Sequence, residues 1–428
     1  MSAGVVAIAA GAAGLVYWRS RPDASPPPVH PPSPGIGGTG GTGAIMWPVK
    51  ARITWLGDIL LPVGPALYFG EDSGAVRAVD GRTGAPIWHF REAGSPVTIT
   101  TDLVVGQGRV FACLSHGDSA ATVVALDAAT GHPVWRHRVT GAVPSIHGDG
   151  DLVLYTTASA LGALRASDGA PAWTLALRDP SSVEFAGPLA VVTHHRREGD
   201  GHGMTVLRLS DGHPVWEAGF PGAAGVTTLP LGPEVLVAVT RPESGEIGVH
   251  RLRDGKRTWT RRWRRYVTWA AASRAVLVTT DLDRLQGLDP ATGATRWTLP
   301  RRTGGGPQTW IAGDLVVTSL ITRGADGRFD LLGLDRRTGR VRWTSPLRLR
   351  LDSGVVGDGV LYATTSDDRG HVVAVDTGSG APLWTTKVPP GSRLTLGHGV
   401  LYTYSGYTEP GGDLIHALDL DTGRRIER

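Results

Sequence analysis

The chain has 428 residues, 41% hydrophobic and 19% charged, which is enough apolar material to bury a sizeable core and excludes a wholly disordered tail. Its net charge is +4, but 40 of the 43 basic residues are Arg, with Lys only at Lys50, Lys256 and Lys387; beside 60 Gly, that skew reads as coding bias from a GC-rich genome rather than as a signature of a polyanionic partner. Cys113 is the one cysteine, which excludes an intrachain disulfide, a Cys-rich metal cluster and an N-terminal lipid-acceptor Cys; in "RVFACLSH" it is expected to pack as a small buried hydrophobe.

In chain order, residues 2–18, "SAGVVAIAAGAAGLVYW", are uncharged and apolar, and Arg19 and Arg21 come next. Residues 1–21 are therefore expected to form a hydrophobic helix that anchors the chain in a membrane, with a cleaved secretory signal as the alternative. The flanking arginines count, by the positive-inside rule, against export of the rest of the chain. Residues 22–44, containing "PDASPPPVHPPSPGIGGTGGTG", are Pro-rich and then Gly/Thr-rich and predict a linker without a core. Its glycines imitate a phosphate loop in composition only, because no strand precedes them and no helical pattern comes after.

From residue 45 to residue 428 the chain repeats itself. The unit is plainest in "VVALDAATGHPVW" (123–135), "LLGLDRRTGRVRW" (331–343), "VVAVDTGSGAPLW" (372–384), "LQGLDPATGATRW" (285–297) and "VRAVDGRTGAPIW" (76–88). Weaker copies occupy 161–173, 205–216 and 248–259, and a last one, "IHALDLDTGRR", lacks its final strand. The motif glycines fall 38 to 47 residues apart, from Gly84 to Gly423. Each unit reads as a strand, a turn in which Asp accepts backbone N–H groups and Gly takes positive φ, and a second strand carrying Trp. Another apolar strand pair, such as "DGVLYATT", precedes each unit, so about 42 residues supply four strands, the content of one propeller blade. One blade cannot bury both its faces, so Trp88, Trp135, Trp173, Trp216, Trp259, Trp297, Trp343 and Trp384 are predicted to fill the wedges between neighbouring blades. "MWPVKARITWLGD" offers a strand to close the ring against the shortened last copy.

This motif, Ala/Gly-x-Asp-x-x-Thr-Gly-x-x-x-Trp, resembles the propeller repeat of pyrroloquinoline quinone (PQQ) proteins over some 380 residues. The resemblance implies an all-β fold, a single β-propeller of about eight blades by family precedent, although nine motif copies are counted. It also implies a superfamily of quinone-dependent alcohol dehydrogenases, a bacterial outer-membrane assembly lipoprotein, and actinobacterial proteins whose propeller lies beyond a transmembrane helix. Such dehydrogenases hold PQQ with a vicinal disulfide, a stacking Trp and a calcium site that includes Asn, beside a catalytic Asp. This chain has one cysteine and no Asn, and its recurrent Asp residues belong to turns, so no catalytic residue is nominated and neither PQQ nor calcium is expected.

The family's ligand face is formed by loops between second and third strands and by the crossings between blades, opposite the Asp-Thr-Gly turns. The longest such loops are 193–203, 322–330 and 404–413, which nominate His194, His195, Arg196, Glu198 and His202, then Arg323 and Asp326, then Tyr404, Tyr407 and Glu409 as ligand- or partner-binding residues. His194, His195, Glu198, Asp200 and His202 carry metal-ligand chemistry, but adjacent histidines on a strand point apart and Arg196 and Arg197 would repel a cation, so no metal is expected.

In the three weak copies Arg165, Arg208 and Arg251 replace the motif Asp, and Asp168, Asp211 and Asp254 move beside the Gly. Two readings are open: a basic arc on the turn face, or the same hairpin made by Asp-Gly with solvated arginines, which is favoured. "KRTWTRRWRRYVTW" (256–269) reads as a blade's outermost strand bearing edge-blocking charge, with Trp259 packing and Trp263 and the surplus arginines open to lipid headgroups; nucleic acid is not expected. The expected protein is a monomeric, non-enzymatic propeller, tethered by its N-terminal segment with the ring outside the cytoplasmic membrane, or else secreted. It would recognise a protein or small ligand through one face, as a sensor or an envelope-assembly scaffold, with a PQQ-dependent dehydrogenase as the alternative.

Overall fold

The computed structural model describes residues 47–427 except 51–59, 72, 93–97, 100–102, 118, 144, 197–198, 265–266, 282, 301–307, 321–328, 346, 348–350, 366–369 and 405–413. The expected anchor and linker, residues 1–44, lie outside the described residues. Among the described residues every regular element is a strand, and no helix is long and apolar enough to cross a membrane.

The strands form nine antiparallel sheets of four, arranged as a ring of blades. Blade 1 consists of Leu61–Val63, Ala66–Gly70, Ala75–Asp80 and Pro86–Arg91, paired in that order from the axis outward. Blades 2 to 8 repeat the pattern over 98–140, 146–176, 178–221, 225–263, 268–300, 308–344 and 351–387. In blade 2 the first strand is broken into two pieces, Thr98–Ile99 and Val104–Gly106, both on Arg109–Ser115. Blade 9 takes three strands, Arg393–Gly397, Val400–Tyr404 and Leu414–Asp419, from the end of the chain and its outermost strand, Val49–Lys50, from the beginning. The pairing of Val49 with Ile415 and of Lys50 with Leu414 closes the ring as the sequence suggests. The blade number is nine rather than the eight of family precedent, because every copy of the motif builds its own sheet.

Burial varies with strand position. The second and third strands of a blade are covered on both faces, as in Ala66–Gly70, where all five residues are buried. Outermost strands alternate, as in Pro86–Arg91 with only Trp88 and Phe90 buried, because one face meets the next blade and the other meets solvent. The hydrophobic clusters lie between blades, not within them. Blades 1 and 2 share Tyr68, Val76, Trp88, Val110 and Val124; blades 9 and 1 share Tyr402, Ile415, Leu67 and Phe69.

The eight predicted tryptophans occupy these seams and do more than fill them. Each indole Nε1–H donates to a backbone carbonyl in the next blade's motif turn, for example Trp88 to Ala128, Trp173 to Leu209 and Trp384 to Leu420, at 2.9, 2.7 and 2.8 Å. The ring face lies on the motif glycine of that turn: an added Cβ at Gly131, Gly212 or Gly423 would meet the preceding blade's indole closer than 3.0 Å. These glycines also sit at φ +72, +69 and +67, so two independent constraints demand the same residue. Trp47, just before the closing strand, makes the ninth contact, donating to Arg82 O at 2.9 Å and packing on Gly84. Sequence reading missed it because no Asp-Thr-Gly precedes it. The signal was the spacing: Trp47 lies 35 residues before its acceptor, within the 31 to 40 of the other eight.

At the seam between blades 9 and 1, Tyr402 donates to Gly81 O while His398 contacts the Tyr402 hydroxyl at 2.6 Å and Gly64 O at 2.8 Å. Inter-blade packing therefore sets the stability of the ring. Gly212→Ala is expected to cost several kcal/mol, since it adds a clash with Trp173 to the roughly 1–2 kcal/mol of a left-handed alanine, whereas Gly187→Ala, at φ +63 with open space around it, should cost only the latter. Chemical denaturation of the two variants checks this; equal losses would refute the docking role of the glycine.

Candidate functional site

The two ends of the ring differ in construction. Motif turns, joining third to fourth strands, are five or six residues long in blades 1 to 8, from 81–85 in blade 1 to 377–381 in blade 8. In the regular copies the Asp closes the turn: Asp127 Oδ1 accepts from Ala129 N, Thr130 N and Thr130 Oγ1 at 3.1, 2.9 and 2.8 Å. The Thr130 hydroxyl and then its N–H hold that carboxyl below its ordinary range. Loops between second and third strands run instead from two residues (158–159 and 242–243) to nine (321–329 and 405–413). Changes in these connections would leave the Trp–Gly seams intact, which makes this the candidate end for recognition.

Of the nominated residues, the structure brings together the blade 4 group. Leu189–His195 and Gly201–Arg208 form a hairpin in which His195 lies opposite His202 and His194 opposite Gly203. The adjacent histidines do point apart. His194 leans over Gly203, its Nδ1 at 2.8 Å from His195 O and its Nε2 at 3.0 Å from the Thr205 hydroxyl. The carbonyl can only accept, so Nδ1 donates to it, and with Nε2 beside the Thr205 hydroxyl both nitrogens are engaged. On the other side the His195 and His202 rings meet with centroids 4.6 Å apart. Burial, then the charge of His195, pushes the His202 imidazole below its ordinary pKa, and its Nδ1 is buried without a partner. Arg196 closes the loop by donating from its N–H to Gly201 O at 3.1 Å, while Asp200 is exposed. Among the described residues no group of three metal-ligating side chains converges.

Glu198, Arg323, Asp326, Tyr407 and Glu409 lie outside the described residues. Tyr404 does not belong to a surface patch: it ends the strand Val400–Tyr404, is 4% exposed, and packs in the blade 9–blade 1 core with Trp47 and Phe69. Its loop neighbourhood in sequence disguised a strand residue. Cys113 is fully buried in Arg109–Ser115, as expected.

The three weak copies make their hairpins by another route, with the arginine paired rather than merely solvated. Arg165, Arg208 and Arg251 each meet their Asp at 2.8 Å, and Asp168, Asp211 and Asp254 accept the N–H of Ala170, His213 and Lys256. The Arg165 bond and then the Ala170 N–H lower the Asp168 pKa, so the charges cancel and no basic arc results. Most of the stretch 256–269 is accounted for as well. Arg257–Trp263 is the outermost strand of blade 5; Trp259 docks on Gly293, Arg261 stacks on Trp263 at 5.0 Å, and Arg262 reaches the nearly buried Glu246 at 2.9 Å. Glu246, which sequence reading missed, explains part of the surplus: a carboxylate at the inner side of the edge strand requires a cation beside it.

Four histidines, the half-buried His202 and His398 and the buried His250 and His416, have pKa values lowered first of all by burial. The folded state therefore binds their protons less readily than the unfolded chain, so the stability they contribute is present above about pH 6.5 and is lost as pH falls through their lowered values. The unfolding midpoint should fall between pH 7 and pH 5, with a shallower fall in His250→Phe, whose ring can keep the stack that His250 makes on Trp216 at 5.9 Å. A pH-independent midpoint would contradict this.

Fold and repeat together define a nine-bladed β-propeller built from PQQ-like repeats. The family model described as outer membrane protein assembly factor BamB matches residues 72–299, 206–349 and 327–426, and the chain belongs to this family. A curated relative, the outer membrane protein assembly factor BamB of Alkalilimnicola ehrlichii, is 32% identical over 138 residues, which cover 30% of this chain and 35% of that one. The match thus spans about a third of the relative's length. Among solved structures, one described as the eukaryotic initiation factor superposes with a TM-score of 0.65 at 11% identity, over 85% of this chain and 95% of its own. The quinohemoprotein alcohol dehydrogenase of Comamonas testosteroni gives 0.51 at 14% identity, over 89% and 76%. At such identities these two likenesses concern the fold alone.

Proposed function

We propose that the chain is a non-catalytic propeller, tethered to a membrane by its N-terminal segment and exposed outside the cytoplasm, whose variable end docks a protein during envelope assembly. The observation that carries this reading is the division of labour between the two ends of the ring. Uniform motif turns hold the blades together at one end, whereas the lengths of chain between second and third strands vary from two to nine residues. Membership of the BamB family supports an assembly role over a chemical one.

The side chains present also speak against a bound quinone with calcium. The single cysteine is buried in a strand, the sequence has no Asn, and the regular motif carboxylates, such as Asp335 and Asp376, are committed to their own turns. These residues do not fit that pair of groups.

A photoreactive amino acid placed at His195, on the variable end, should crosslink the full-length chain to a protein partner in intact membranes, whereas the same probe at Ala129, exposed in a motif turn, should not. Equal crosslinking from both positions would refute the assignment of the docking end. Dye-linked alcohol oxidation by the purified chain after addition of PQQ and Ca²⁺ would instead make it a dehydrogenase.

A further inference from the structure

Arginine is abundant throughout the chain, and in the three weak copies of the motif Arg165, Arg208 and Arg251 each meet a carboxylate at 2.8 Å, while Arg253 shares Asp254 at 3.6 Å. The turn of blade 7 differs. Its sequence, "DRRTGRVRW" (335–343), carries Arg336, Arg337, Arg340 and Arg342 ahead of the seam residue Trp343. Arg336 is neutralised by Asp314 at 2.9 Å and Arg342 by Asp335 at 2.6 Å. Arg337 and Arg340 are exposed, and neither guanidinium has an ion-pair or hydrogen-bond partner among the described residues.

These two face an open cleft of ≈ 690 Å³ lined by Arg296, Arg337, Thr338 and Arg340, at the junction of blades 6 and 7. Arg296 comes from the outermost strand of blade 6 and is fixed in place by Asp289 Oδ2 at 2.7 Å and Ala275 O at 2.5 Å. A guanidinium has five N–H donors, so those two contacts leave Arg296 able to donate further. Thr338 adds no donor, because its hydroxyl is given to Asp335.

We propose that this cleft is a binding site for a phosphate group, on the end of the ring opposite the variable loops. A carboxylate is already satisfied here by one arginine, as Asp289 and Asp335 are. Three guanidinia around one cleft, two of them uncompensated, suit a compact dianion with oxygens on several sides. The cleft volume falls in the range of small-ligand sites. The phosphate can belong to a soluble phosphoryl compound or to a lipid headgroup, and the chemistry of capture is the same.

The test uses the full-length chain in detergent, titrated with inorganic phosphate at constant ionic strength. Wild type should bind saturably, and the double variant Arg337→Gln/Arg340→Gln should bind about tenfold or more weakly, the loss of one or two charge-assisted bonds. Arg165→Gln, which removes an already neutralised cation, should bind as wild type does. Unchanged affinity in the double variant, or a wild-type response no larger to phosphate than to chloride, overturns the proposal. Vesicles of phosphatidylcholine with or without phosphatidic acid then separate the sources. Retention on phosphatidic acid that is lost in the double variant identifies a headgroup, and phosphate affinity without such retention identifies a soluble ligand.

Discussion

The fold depends on one contact made nine times: an indole laid on a glycine of the next blade, with its N–H given to a carbonyl of the same turn. The glycine is needed both for its left-handed backbone and for its missing Cβ, and the indole is needed both for its area and for its one donor. Because the apolar clusters lie in the seams, no blade owns a core. A single blade has nothing to fold around, and each blade is stabilised through the seams on its two sides. The N-terminal strand and Trp47 are therefore as much a part of the cooperative unit as any motif copy.

Much of this was legible in the sequence. Repeat spacing, strand content, the seam role of eight tryptophans and the closing strand can all be read from the motif, since one physical requirement recurs at every seam and writes the same residues each time. The blade number is the instructive case: counting copies gave nine, whereas precedent suggested eight, and the direct count agrees with the sheets. Trp47 escaped because its blade is assembled from both ends of the chain, so the motif around it is split.

The nominated site was only partly legible. A loop-length argument finds the variable end but cannot separate a loop residue from the last residue of the strand before it, which is how Tyr404 entered the set. Charge misleads in the same way. Arg165, Arg208 and Arg251 drew attention by their regular spacing and are neutralised within their own turns, whereas Arg337 and Arg340 sit in a copy of the motif too regular to stand out. What counts for binding is the charge left over after local pairing, and that depends on side-chain reach, which sequence spacing does not record.

The closing strand has a mechanical consequence. Val49–Lys50 is held by pairing at two positions, and it is also the first described strand that the N-terminal part of the chain meets. Tension applied from that side would not be shared among nine seams; it would arrive first at Trp47 and its glycine, with the two-residue clasp next in line. Trp47 and a strand of two residues would thus take such a load between them, and the closure of the ring would depend on those few contacts.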